Sequence, residues 1–185
     1  MKTILTTERL YIREFNNNDC DFILRLLNTP GWLQFIGDRN IKNPEDAQQY
    51  LTNGPYKSYA ENGFGLSAVC LKNETLPIGM SGLIKRDTLE TVDIGFCFLP
   101  GYEGLGYAYE AASALLAYAK KDLDIDRVLA ITSKDNDKSV ALLKRLGFVF
   151  DKNVVLANDP EELFLFEIKL WSVRWDGFNF NHIAT

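Results

Sequence analysis

The sequence predicts one α/β domain, and three observations carry that expectation. The chain has 185 residues, enough for a single sizeable core. Its first half holds closely spaced strand patterns. After residue 100 it changes to strands alternating with helices.

The elements follow in order. Arg9-Leu10-Tyr11-Ile12-Arg13-Glu14-Phe15 reads as a first strand, and Asn16-Asn17-Asn18-Asp19 supplies turn and capping residues. Phe22, Ile23, Leu24, Leu26 and Leu27 give helical spacing from about Cys20 to Asn28, with Thr29-Pro30-Gly31 as the stop. A second helix is predicted from Pro44 to Tyr59, capped by Asn43 and acidic in its first turn at Glu45-Asp46. Strands at 64–72, 76–85 and 91–99, joined tightly, make an antiparallel meander. A glycine-rich segment then opens a helix whose Ala108, Ala111, Ala112, Leu115, Leu116 and Ala119 form one apolar face. A buried strand at 127–132 and a helix at 136–146 come next. Gly147 stands where a helix-ending cap wants it. Strands at 148–156 and 162–170 complete a domain of residues 1–170. The tail, 171–185, carries Trp171, Trp175, Phe178 and Phe180, so it is expected to dock on the domain or on a neighbouring subunit, which leaves a homodimer open.

Composition removes several function classes. Net charge is −5 with a pI near 5.0, where a nucleic-acid binder would carry a basic excess. No apolar run is long enough for a bilayer, and the first nine residues contain no signal-peptide core, so a membrane is not an expected partner. Cys20, Cys70 and Cys97 are odd in number and far apart, which points to reduced thiols and a cytoplasmic location. No Cys/His cluster indicates a metal.

The chemistry is expected at Pro100-Gly101-Tyr102-Glu103-Gly104-Leu105-Gly106. Glycines let backbone N–H groups approach an anion, and the following helix start adds unpaired N–H groups and the positive end of its dipole. A nucleoside-triphosphate loop needs Lys-Ser or Lys-Thr after the last glycine, and Tyr107-Ala108 stands there instead. A dinucleotide fingerprint needs glycine at 109, which is tyrosine, and Asp124 and Asp126 precede the next strand rather than end it.

A third class matches the spacing. Gly101 through Gly106 resembles the acyl-CoA loop of the GNAT acetyltransferases (Gln or Arg, two residues, Gly, any residue, Gly or Ala), with Gly101 replacing the Gln or Arg. Asn136-Asp137-Lys138-Ser139, followed by Leu142 and Leu146-Gly147-Phe148, resembles a second GNAT motif. Ile78-Gly79 with Gly82-Leu83-Ile84, and Asp93-Ile94-Gly95-Phe96, resemble two of its strands. With Arg9-Leu10-Tyr11-Ile12-Arg13, the chain is similar over residues 7–170 to the branch that contains the ribosomal-protein alanine acetyltransferases of RimJ/RimL type.

The resemblance implies a mixed, mostly antiparallel central sheet with helices on both faces and an acyl-CoA cleft between splayed strands 91–99 and 127–132. Acetyl-CoA is then a co-substrate, its pantetheine lying along Phe96, Cys97, Phe98 and Leu99. Its pyrophosphate lies on Gly101, Tyr102, Gly104, Leu105, Gly106, Tyr107 and Ala108. Asn136 is the implied amide partner of pantetheine, and Ser139 the implied acid beside the sulfur, because the tyrosine common seven residues after this Asn is Leu143 here. A primary amine, on a peptide or a small molecule, takes the acetyl group directly. Strand alternation puts Asp93, Gly95 and Cys97 on a small or polar face opposite Val92, Ile94, Phe96 and Phe98. Asp93 is therefore the expected ammonium contact and base. The acceptor pocket is expected in residues 20–60, with Trp32 and Arg39 in its distinctive patch. Two alternatives stand beside this: a catalytically silent acyl-CoA-binding domain, and a nucleotide module disfavoured by spacing.

Overall fold

Strand formation begins earlier than the residue pattern predicts. In the computed structural model, which describes residues 2–157, 159–173 and 181–182, Thr3–Thr6 forms β1 and pairs antiparallel with β2, Leu10–Arg13. Four residues flanked by threonines are too short to show an alternation, so β1 takes its strand state from β2. The turn into α1, Cys20–Leu26, is fixed by charge: the Arg13 guanidinium donates to both Asp19 oxygens at 2.7 Å, and both groups are buried.

Thr29-Pro30-Gly31 follows the end of α1 as expected, with Thr29 Oγ1 donating to Leu26 O at 2.8 Å, and it is also a start, of α2, Pro30–Phe35. The Thr29 side chain accepts from Trp32 N at 3.4 Å, and Pro30 occupies an opening position where its missing N–H costs nothing. The helix predicted as continuous over 44–59 is three pieces. α3, Pro44–Leu51, passes through a π-helical turn at Thr52–Tyr56 into α4, Lys57–Asn62. The turn contains Pro55, which has no N–H to donate.

β3 (Leu66–Leu71), β4 (Pro77–Ile84) and β5 (Asp93–Phe98) form the antiparallel meander. α5 spans Tyr107–Lys121, β6 Arg127–Thr132, α6 Asp137–Arg145, β7 Val149–Leu156 and β8 Asp159–Lys169. β9 is the backbone pair Asn181–His182 against β1. The sheet runs β7-β8-β6-β5-β4-β3-β2-β1-β9, and among the described residues only β5 and β6 are parallel neighbours. α6 ends as the sequence predicts. Gly147 sits at φ +95° and donates to Lys144 O, while Phe148 N reaches back to Leu143 O.

The sheet buries both faces. Leu10, Ile12, Val69, Leu83, Ile94 and Phe98 face α5, whereas Ala68, Cys70 and Met80 face Phe22, Leu26, Trp32 and Leu51 of α1, α2 and α3. α5 is buried more widely than its predicted face: Ser113, Ala114 and Ala117 are also covered, because the turn Leu170–Ser172 after β8 packs against the helix too. Of the tail's aromatic residues, Trp171 is 68% exposed on this single chain, while Trp175, Phe178 and Phe180 lie outside the described residues.

Two glycines test this packing in opposite directions. A Cβ on Gly82 of β4 would stand 2.2 Å from the Gly65 carbonyl oxygen of the neighbouring chain segment. Gly82→Ala should cost about 1–3 kcal/mol in urea unfolding. Gly31, helical in α2 with nothing within 4 Å of its would-be Cβ, is the counterpart. Gly31→Ala should stabilise by about 0.4–1 kcal/mol.

Candidate active site

One geometric fact creates the site. β5 and β6 share a single register pair, Asp93 with Leu129, tied by Leu129 N donating to Val92 O at 2.9 Å. Beyond that pair they part, because each is held on its outer side: β5 along its whole length by β4, and β6 along its whole length by β8. From Gly95 onward β5 therefore has a paired edge and an edge facing a gap. The gap opens into a cleft of about 1010 Å³. Its walls are β5, the end of β6, the first turns of α6, and the α2–α3 segment.

The chain continues from β5 through a 3-10 turn, Pro100–Tyr102, into the glycine segment. Gly104 and Gly106 have φ of +74° and +85°, the left-handed region that favours glycine. Gly106 is also the N-cap of α5, and no side chain caps that end. The first intrahelical bond is Glu110 N to Gly106 O at 3.0 Å, so the preceding N–H groups of the turn have no intrahelical acceptor. An uncapped fifteen-residue helix thus opens beside the parting strands, positive end outward. The Tyr102 and Tyr107 rings, 6.5 Å apart, flank the loop.

The predicted residues divide into two groups. Trp32, Arg39, Asp93, Phe96, Cys97, Asn136 and Ser139 all line the cleft. Leu99, Gly101, Tyr102, Gly104, Leu105, Gly106, Tyr107 and Ala108 form the loop and helix start at its mouth, and the Phe98 ring is buried under α5 against Gly79. Phe98 can therefore offer a ligand only its backbone. Asn136 Oδ1 accepts from Ser139 N at 3.1 Å, so its oxygen caps α6 and its amide nitrogen is what remains for a ligand. Across the mouth, Lys138 Nζ lies 2.9 Å from Glu103, joining α6 to the loop.

Asp93 sits at the apex of the cleft, 1% exposed, with Arg86 Nε at 2.9 and 3.1 Å from its two oxygens. Burial raises its pKa above the ordinary carboxylate value, and the Arg86 charge opposes that rise. Burial also pushes the Cys97 thiol up to about 12, with the Glu103 charge adding to it, and the Tyr50 phenol up to about 12. Both groups stay protonated at neutral pH. Arg86 and Tyr50 line the cleft too, and the sequence pattern did not single them out. The hairpin register aligns Ile84 with Asp93, which brings Arg86, just beyond the strand end, back over that carboxylate. Tyr50 shares the α3 helical face with buried Ala47 and Leu51, where it reads as core. α2 is pinned across the cleft by Ser133 Oγ donating to Phe35 O at 3.4 Å. Among the described residues no helix is long and apolar enough to cross a membrane, and no cluster of three His, Cys, Asp or Glu side chains could hold a metal.

Comparison with known proteins agrees with this geometry. The model of the acetyltransferase (GNAT) domain matches residues 9–149. The uncharacterized N-acetyltransferase YnaD of Bacillus subtilis is 29% identical over 143 residues, covering 77% of this chain and 81% of that one. Two solved structures share the fold. The ribosomal-protein-S5-alanine acetyltransferase of Vibrio fischeri superposes with a TM-score of 0.74 at 20% identity, over 93% of this chain and 98% of that one. RimL, a ribosomal alpha-N-protein acetyltransferase in complex with coenzyme A, superposes with a TM-score of 0.77 at 16% identity, over 91% and 98%.

The loop is anchored from outside by Glu110. Burial pushes its pKa up, but hydrogen bonds from Thr7 Oγ1, Arg9 N and the Arg9 guanidinium outweigh burial and hold it below the ordinary value of 4.5. A depressed acid contributes stability that is complete above its ordinary value and is lost as pH falls through the lowered one. Glu110→Gln should therefore lower the melting temperature by a few degrees at pH 7. The difference from the parent chain should close as the pH is taken down through 4.5.

Proposed function

The chain belongs to the GNAT acetyltransferase family, and from that premise we propose that it moves the acetyl group of acetyl-CoA directly onto a primary amine, on a protein N-terminus or a small molecule. The observation that carries this reading is the uncapped, glycine-opened N-terminus of α5 at the mouth of two parted strands. The fit to the donor is chemical. Left-handed Gly104 and Gly106 and the first N–H groups of α5 suit a pyrophosphate, and the free edge of β5 suits the amides of pantetheine.

The steps follow from the side chains. Asp93 receives the proton of the bound ammonium, directly or through water, its basicity lifted by burial and its orientation fixed by Arg86. The free amine attacks the thioester carbonyl, and a backbone N–H of β5 stabilises the oxyanion that forms. The carbonyl re-forms as the carbon–sulfur bond breaks, and the nitrogen gives up its second proton. Ser139 at the start of α6 relays a proton to the departing thiolate and is itself reprotonated by that second proton, directly or through water. Cys97 takes no covalent part, since a thiol held protonated is a poor nucleophile. That favours direct transfer over an acyl-enzyme. Trp32, Arg39, Arg86 and Tyr50 shape the wall that the acceptor meets.

Acetyl-CoA at about 100 times its dissociation constant should stabilise the native state by roughly 2.7 kcal/mol, or about 5–10 °C in melting temperature. Amine panels should release free CoA and yield an acetylated product by mass. Gly104→Val, which puts a branched Cβ in a left-handed loop position, should abolish most of the shift measured from its own baseline. A full shift in that variant, or binding without CoA release on any peptide or polyamine, would count against the reading.

Asp93→Asn separates catalysis from stability. The acidic limb of kcat/KM should report a pKa above the ordinary 3.8, and the variant should lose that limb with a rate at least about tenfold lower. A raised acid contributes stability only while protonated, and that contribution fades as pH rises through its folded pKa. Asparagine mimics the protonated form, so the variant should melt no lower than the parent at pH 7. An unshifted profile at near-normal rate rejects Asp93 as the base.

A further inference from the structure

Among the described residues the side-chain bond of the Gly101–Gly106 loop, Glu103 to Lys138, runs outward to α6 and reaches none of the loop's own peptides, yet the loop must present N–H groups in a fixed direction to bind an anion. The orientation is imposed from elsewhere in the chain. Arg9, between β1 and β2, reaches across to it. Its Nη1 donates to Leu105 O at 3.0 Å, and its Nε to Glu110 Oε2 at 2.7 Å. Its guanidinium carbon lies 4.4 Å from the centre of the Tyr107 ring, and Nη2 would stand 3.3 Å from a Cβ on Gly106. Glu110 is in turn held by Arg9 N at 2.9 Å and Thr7 Oγ1 at 2.5 Å. One guanidinium thus grips the loop, the ring that follows it and the first turn of α5.

The consequence lies in peptide geometry. A trans peptide is planar, with its C=O and N–H pointing in opposite directions. Holding Leu105 C=O toward Arg9 therefore aims Gly106 N–H away from Arg9. Without that hold, a residue pair ending in left-handed glycine is free to turn the peptide over. A cation beside a helix N-terminus is unfavourable on dipole grounds, and Glu110 in the first turn offsets it. Lysine could not replace the fork, because it offers one point charge where two acceptors in different directions are engaged.

We propose that Arg9 is the positioning residue of the donor loop, fixing the Leu105–Gly106 peptide so that Gly106 N–H faces the pyrophosphate of acetyl-CoA. This rests on the reading of the loop as the pyrophosphate site. Arg9 acts through the peptide and touches no reacting atom.

The test compares acetyl-CoA with S-acetylpantetheine, which carries the same thioester but no pyrophosphate. For Arg9→Lys and Arg9→Gln, KM for acetyl-CoA should rise about tenfold, with kcat and the amine KM within about twofold of the parent. KM for S-acetylpantetheine should stay unchanged. Equal losses with both donors would mean general damage and overturn the inference, as would an acetyl-CoA KM within about twofold of the parent. An Arg9→Lys chain that fails to fold overturns it as well, since the contact is then one of folding. A parent enzyme that does not prefer acetyl-CoA to S-acetylpantetheine defeats the loop reading itself. A preference retained in the Arg9 variants defeats only the role of Arg9.

Discussion

Everything in this molecule that concerns chemistry depends on two parallel strands that bond once and then separate. β5 and β6 are each claimed on their outer side by an antiparallel partner along their full length, and those partners set the divergence. The inner edges lose their ladder as a result. Backbone groups left unpaired away from water are costly, so a gap of this kind persists only where the outer pairing is strong and where a ligand or solvent can complete it. The two helices that follow the separated strands both begin at the gap, one from Gly106 without a side-chain cap and one from Asn136 with one. Parted strands and helix starts together form a site whose donors are mostly main chain.

Main-chain donors explain why composition says little here and spacing says much. A backbone N–H is useful only if its peptide is fixed, and the fixing groups lie outside the cleft. Glu110 and its partners hold the start of α5, and Gly82 allows β4 to run close beneath the Gly65 carbonyl. Asp93 is deeply buried against Arg86, and Cys97 and Tyr50 keep their protons. Of the carboxylates that line the cleft, Asp93 is the buried one, and Asp46 and Glu161 are more exposed.

The loop and helix starts of this arrangement were legible in the sequence. Glycine spacing at 101, 104 and 106, the alanine-rich helix and the Asn136–Ser139 start each leave a local signature, because turns and caps demand particular residues. Strand alternation likewise separated Asp93 and Cys97 from Val92, Ile94 and Phe98, and the latter three lie in the core under α5 while Asp93 and Cys97 line the cleft. The α2–α3 wall of the cleft was less legible. Thr29-Pro30-Gly31 suits a helix end and a helix start equally well, and it serves as both, Thr29 bonding Leu26 O behind it and accepting from Trp32 N ahead of it. Pro55 broke a predicted helix into a π-helical turn that periodicity cannot display. Arg86 met Asp93 through hairpin register, and Tyr50 reads as core from its helical face. Long-range pairing of this kind leaves no trace in a local window.

The position of α2 has an evolutionary consequence. The segment from Pro30 to Ile41 is fastened by few bonds: Thr29 at its start, Asn28 Nδ2 to Ile41 O, and Ser133 to Phe35 O near its middle. It contributes no strand to the sheet and no residue to the glycine loop. Substitutions there can reshape what the cleft admits without disturbing the backbone frame of the glycine loop. The two halves of the site can therefore drift at different speeds. A lineage built this way can keep one donor for a long time while trying many recipients.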